Sequence, residues 1–102
     1  MGNRLALHEA LCNILETRNV YFQPPESIKL SYPCIVYSIS SVDKRNANDS
    51  MYKSSVEYEV TIIDPDPDSK LPIKVMHYFP MCRFNRSFTS DNLNHSVVTL
   101  YY

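Results

Sequence analysis

The sequence predicts an α+β fold: one mostly antiparallel β-sheet with a long hairpin, packed by two α-helices in the order α-β-β-β-α-β-β. Three observations carry that expectation. Apolar residues recur at helical spacing in two separate stretches, from Leu7 to Leu15 and from Leu71 to Phe79. A two-residue alternation runs from Tyr52 to Ile62, and the remaining β-favouring runs are divided by prolines and polar turn residues with no linker between them. Helical patterns segregated from mostly consecutive strands point to a single sheet with its helices on one face.

The first helix is expected over about Arg4 to Arg18, because Leu7, Leu11, Ile14 and Leu15 follow the i, i+4, i+7, i+8 spacing of one face. Asn3 is the expected N-terminal cap and Asn19 the expected stop. Val20-Tyr21-Phe22 is a short strand, ended by Pro24-Pro25, and an irregular loop continues to Tyr32. From Pro33 to Val42, Ile35, Tyr37 and Ile39 share one face while Cys34, Val36 and Ser38 share the other. Apolar side chains on both faces predict an interior strand.

Asp43 to Ser50 reads as the polar tip of the long hairpin. Beyond it, Tyr52, Ser54, Val56, Tyr58, Val60 and Ile62 alternate with Lys53, Ser55, Glu57, Glu59 and Thr61, which predicts a long strand with one buried and one wet face. Asp64-Pro65-Asp66-Pro67-Asp68-Ser69 breaks that strand. A second helix follows, with Asp68 or Ser69 as N-cap, Pro72 in the first turn, an apolar stripe of Leu71, Val75, Met76 and Phe79, and Pro80 as its stop. Met81–Phe88 and His95–Tyr102, flanking the polar loop Thr89–Asn94, read as a closing hairpin.

Composition narrows the function classes. With 102 residues, 44% of them hydrophobic, the chain suits one core and is expected to be a single domain over 1–102. A single glycine, Gly2, excludes glycine-rich phosphate loops, which need several residues without a Cβ in a short stretch. Ten basic against eleven acidic side chains speak against tight, sequence-blind nucleic-acid binding and against an RNA-binding module with sheet aromatics ringed by arginine. No apolar run approaches the roughly 18 to 20 residues that span a bilayer, and no signal peptide is legible. The expectation is a soluble, intracellular protein without a membrane partner.

Candidate chemistry is sparse. Cys12, Cys34 and Cys82 are an odd number at wide spacing, as reduced buried thiols would be. Cys34, Cys82, His8, His77 and His95 lack the paired spacing of zinc ligands. The aspartates of the DPDPDS run read as turn and cap residues, since a calcium loop needs a central glycine and a distal glutamate. No catalytic residue, metal or cofactor is therefore expected, and a small cysteine-dependent enzyme is the weaker alternative. Glu57 and Glu59 share a strand face, and Arg83 and Arg86 with Lys74 form a small basic group expected at a solvated edge. The amount of sheet exceeds what so small a body would cover, which points to self-assembly.

Four segments carry a resemblance: Asn19 to Pro25 (NVYFQPP), Tyr32 to Tyr37 (YPCIVY), Tyr58 to Ser69 (YEVTIIDPDPDS) and Phe88 to His95 (FTSDNLNH), closing on Thr99 to Tyr102. In this order they resemble the small tail terminator, or tail completion, proteins of long-tailed bacteriophages. Asn85, between Phe84 and Arg86, stands where that pattern has an aspartate. The resemblance implies a structural virion protein with no active site, assembled in the host cytoplasm. Such proteins form a hexameric ring at the head-proximal end of the tail, in contact with the tail tube protein and the head connector, with DNA only passing through. A head-closure ring protein is the alternative within the same class. In a ring, Glu57 and Glu59 are candidates to face the channel, although the outer surface is equally open to them. The loop residues Asp43, Lys44, Arg45, Asn46, Asn48 and Asp49 are candidates to contact a neighbour or partner, against the alternative of an inert surface loop.

Overall fold

A computed structural model describes residues 3–43 and 55–102. Its elements are α1 (Asn3–Leu15), β1 (Val20–Phe22), β2 (Cys34–Asp43), β3 (Ser55–Asp64), α2 (Leu71–Tyr78), β4 (Cys82–Ser90) and β5 (Leu93–Tyr101). This is the α+β order the sequence predicts. The strands form one sheet in the order β1-β2-β3-β5-β4. Among the described residues β1 and β2 pair in parallel, and the β2–β3, β3–β5 and β4–β5 pairings are antiparallel.

Both helices pack on the same face of the sheet. Leu7, Leu11 and Leu15 of α1 and Val75 of α2 enter one core with Ile35 and Tyr37 of β2, Tyr58, Val60 and Ile62 of β3, and Val98 and Leu100 of β5. The β3 alternation thus does what its sequence requires, turning Tyr58, Val60 and Ile62 inward while Glu57, Glu59 and Thr61 stay half-exposed. Tyr52 and Ser54, expected on this strand, lie outside the described residues. β2 is interior, with β1 on one side and β3 on the other.

Several local expectations need correction. α1 stops at Leu15, well before Asn19, because Glu16 takes a left-handed φ of 67° and its amide bonds the Cys12 carbonyl at 2.7 Å. Asn19 serves the sheet instead, its side-chain amide donating to the Pro33 carbonyl at 3.4 Å. Asn3 is the first residue of α1, and its side chain lies outside the described residues. At α2 the N-cap position falls to Lys70, without a side-chain cap. Ser69 contributes one residue earlier, its Oγ accepting the Leu71 amide at 3.2 Å. Asp68 caps nothing.

The DPDPDS stretch is turn chemistry in detail. Asp64 Oδ1 accepts the Asp66 amide at 2.8 Å, and Asp66 Oδ1 accepts the Asp68 amide at 2.9 Å, two successive Asx turns that suit backbone held by Pro65 and Pro67. The closing hairpin is tighter than expected. In place of a polar loop over Thr89–Asn94, β4 and β5 extend to Ser90 and from Leu93, and the connection is Asp91-Asn92 alone, at φ 54° and 62°. Two successive positive φ values are the signature of a type I′ turn, whose twist matches that of antiparallel strands.

Candidate functional site

The sheet has two unlike faces. One lies under the helices; the other is covered by no helix of the described residues. Register places residues on the second face in rows: Ser38, Glu59, Thr99 and Arg83 form one, and Ser41, Glu57 and Tyr101 form the next. Directly opposed residues on antiparallel strands share a face, so both glutamates and Arg83 project from the helix-free side. Cys34, Ile63, Val97 and Thr99 also lie on this side and are buried, outside the main core.

A bulge in β4 brings Arg86 to the same face. The ladder slips between Phe84 and Arg86, so that Arg86 sits opposite Val97 and Asn85 is the extra residue. Asn85 does not idle there: its Nδ2 donates to Thr99 Oγ1 at 2.7 Å. Thr99 is 4% exposed, and this bond satisfies its otherwise dry hydroxyl. Beyond the bulge Phe88 stacks on His95 with centroids 4.6 Å apart and an interplanar angle of 13°, and the Arg86 guanidinium lies 5.8 Å from the Phe88 centroid.

The glutamates are engaged. Glu57 Oε1 accepts from the Tyr101 hydroxyl at 3.1 Å. Glu59 faces Arg86 across 3.9 Å, a long pair between well-exposed side chains that contributes at most about 1 kcal/mol. Arg83 has no ion pair among the described residues. It borders a cleft of about 260 Å³ with Pro80, Met81, Cys82, Thr99 and Tyr101. The expected basic group is therefore divided. Arg83 and Arg86 lie on the helix-free face beside the glutamates, while Lys74 belongs to the helix layer, on a groove with Asn13, Ile14, Glu16, His77 and Tyr78. Sequence spacing missed this because β5 inserts between β3 and β4, and only then does Arg83 come into a row with Glu59.

The remaining candidates carry little chemistry. Cys12, Cys34 and Cys82 are free thiols. Burial pushes the Cys34 thiol up to about 11 and also raises that of half-buried Cys82, whose Sγ reaches the Met76 carbonyl at 3.5 Å. Thiols held up in this way stay protonated near neutral pH, the opposite of an activated nucleophile. Among the described residues no group of three or more His, Cys, Asp or Glu side chains could hold a metal ion. No helix of the described residues is long and apolar enough to cross a membrane.

Of the expected partner loop, Asp43 ends β2 in the ladder opposite Ser55; Lys44, Arg45, Asn46, Asn48 and Asp49 lie outside the described residues. One polar contact was not legible in the sequence. His8 Nδ1 and the hydroxyl of fully buried Tyr37 are 2.8 Å apart at the base of the core, within a ring cluster that includes Phe22 and Tyr58. The helical period places His8 beside Leu7 and Leu11, but nothing in it points to Tyr37, 29 residues away. No protein-family model matches the chain, and neither a curated protein nor a solved structure matches it.

Proposed function

We propose that this chain is a structural virion protein of a long-tailed phage, a tail terminator forming a hexameric ring at the head-proximal end of the tail. There it caps the tube and joins it to the head connector. The observation that carries the reading is the order of the resembling segments, which spans nearly the whole chain from Asn19 to Tyr102. The geometry adds support of its own kind. Among the described residues the sheet carries helices on one face, and the other face bears Glu57, Glu59, Arg83 and Arg86. A ring gives such a face something to adjoin.

In this ring the helix-free face turns toward the channel. Glu57 and Glu59 then present negative charge to passing DNA, where repulsion between like charges keeps phosphate from sticking. Arg86 tempers that field at Glu59, so Glu57 supplies the larger share.

End-labelling of tail tubes tests the proposal. Purified, gold-tagged protein is mixed with polymerised tubes and imaged by negative stain. Label at one end of each tube, in the form of a ring, is the expected result. Label along the sides, or none on the tubes, refutes it. Glutamine at both Glu57 and Glu59 is expected to slow genome ejection while leaving end-labelling intact; unchanged ejection removes the channel role.

A further inference from the structure

The two edges of the sheet are unlike. At one, β1 covers Ile35, Val36 and Tyr37 of β2, and just beyond it Gln23 Oε1 accepts the Ile39 amide at 3.1 Å, so a side chain stands where a further strand would bond. At the other, β4 has β5 on one flank and no strand of the described residues on the other, and every β4 residue after Cys82 is exposed. An open edge of this kind is a template for a further strand. Its regular part is Arg86–Ser90, bounded by the bulge between Phe84 and Arg86 and by the Asp91-Asn92 turn.

We propose that the free chain closes this edge on a second copy of itself, the two β4 strands pairing antiparallel about a two-fold axis at Phe88. The pair is a state of the free chain and does not rest on the ring. Hydrogen-bond phase selects the axis. The two-residue turn makes Ser90 and Leu93 a hydrogen-bonded pair, and such pairs alternate along an antiparallel ladder. Phe88 and Arg86 therefore direct their backbone groups at β5, whereas Ser87 and Thr89 direct theirs outward. Within the regular part, outward groups meet outward groups when the axis passes through Ser87, Phe88 or Thr89. An axis at Ser87 sets the bulged Asn85-Arg86 against Phe88, and one at Thr89 sets Ser87 against Asp91 in the turn. The Phe88 axis pairs regular backbone throughout: Ser87 of each copy meets Thr89 of the other, and each such pair exchanges both backbone bonds.

The side chains fit the same register. Phe88 is 43% exposed on the helix-free face, with His95 stacked on one flank at 4.6 Å. Its other flank meets Phe88 of the second copy in a directly opposed, non-hydrogen-bonded pair, the position at which side chains on neighbouring strands stand closest. Two half-exposed rings thereby cover each other between the two histidines. On the helix side, Ser87 and Thr89 are small and exposed, so neither helix overhangs the joint. Arg86 meets Ser90, which keeps the two Arg86 positions four residues, or about 13 Å, apart along the strands. That exceeds the screening length of about 8 Å at physiological salt, and each Arg86 retains Glu59 at 3.9 Å. One patch meeting its own copy across a two-fold axis closes at two chains. The joint is short, so its affinity belongs to the weak, transient class.

The test combines mass with disulfide trapping on the whole chain, each variant checked for fold by circular dichroism. Sedimentation velocity is expected to show a monomer–dimer equilibrium at concentrations below about 1 mM. Ser87→Pro removes an outward amide and leaves the β5 ladder intact, and Phe88→Lys sets two cations face to face at the axis; each is expected to weaken association at least about tenfold. For trapping, Ser87→Cys and Thr89→Cys are made with Cys82→Ser, which removes the half-buried native thiol. They are oxidised separately and as an equimolar mixture, and the bridges are read by peptide mass spectrometry. The mixture is expected to give the 87–89 bridge between chains as the main product, because these positions stand directly opposite. A wild type monomeric up to about 1 mM, folded variants that associate as well as wild type, or a mixture without bridges between chains overturns pairing through β4. Predominant 87–87 or 89–89 bridges overturn the Phe88 axis, and growth past two copies that Ser87→Pro abolishes overturns the closed pair. End-labelling of tail tubes is read separately, so the ring reading stands or falls apart from these outcomes.

Discussion

Removing the His8 imidazole exposes one buried hydrogen bond and one titration together. The Tyr37 ring is fully buried, so its hydroxyl depends on protein partners, His8 Nδ1 at 2.8 Å and the nearby Arg4 side chain. His8→Ala leaves a dry hydroxyl with Arg4 beside it and without the imidazole, at a cost of about 1–2 kcal/mol near pH 8. Tyr37→Phe takes the hydroxyl itself away and leaves half-exposed His8 free to turn to water, at a cost of about 1 kcal/mol or less. With a urea slope near 1 kcal/mol/M for a chain of this size, the unfolding midpoint moves by about 1–2 M in the first case and less in the second. Burial lowers the His8 pKa below its ordinary 6.5; Arg4 and Arg18 add to this and Glu9 opposes it. Below pH 6.5 the unfolded chain takes up this proton more readily than the folded one. The bond's stability is therefore complete above that pH and is lost as the pH falls through the folded value. The gap between wild type and His8→Ala should accordingly narrow from pH 8 to pH 5, read by urea unfolding followed by circular dichroism. A gap that stays constant or widens refutes this account, as does a Tyr37→Phe loss larger than that of His8→Ala.

Two further outcomes follow from named contacts. Cys34, fully buried and pushed up to about 11, should resist alkylation at pH 8 until urea unfolds the chain, while half-buried Cys82 reacts first; peptide mass spectrometry reads both, and equal native and unfolded rates at Cys34 would contradict its placement. At the Asp91-Asn92 turn, Asn92→Gly should be neutral to slightly stabilising and Asn92→Val should cost about 1–2 kcal/mol in thermal or urea unfolding, because a β-branched residue resists φ of 62°.

What the sequence made legible is what periodicity governs. Leu7, Leu11 and Leu15 at helical spacing, and Tyr58, Val60 and Ile62 at alternate positions, are the residues the core buries. The proline-aspartate run announced its turns because Pro65 and Pro67 leave the neighbouring aspartates few other conformations. Element ends were harder. Glu16 carries no sign of the left-handed geometry that stops α1, and Asp91-Asn92 lacks the glycine that usually marks a two-residue hairpin turn. The rows of the helix-free face were out of reach for a different reason. Local pattern says which residues share a strand face, but not that β5 separates β3 from β4, and the meeting of Glu59, Thr99 and Arg83 depends on that insertion. His8 and Tyr37 meet by tertiary packing alone.

The insertion of β5 between β3 and β4 also sets an order of events during synthesis. β3 and β5 pair residues 30 to 44 positions apart, and until β5 has been made, the side of β3 that will receive it has no strand beside it. Until β5 joins, a β2–β3 hairpin holds Val60 and Ile62 in an unfinished layer. Such an edge is a site for misassembly between nascent chains. Closing the sheet must wait for its last strand, so the rate of that late, long-range pairing governs how long each new copy remains vulnerable to aggregation.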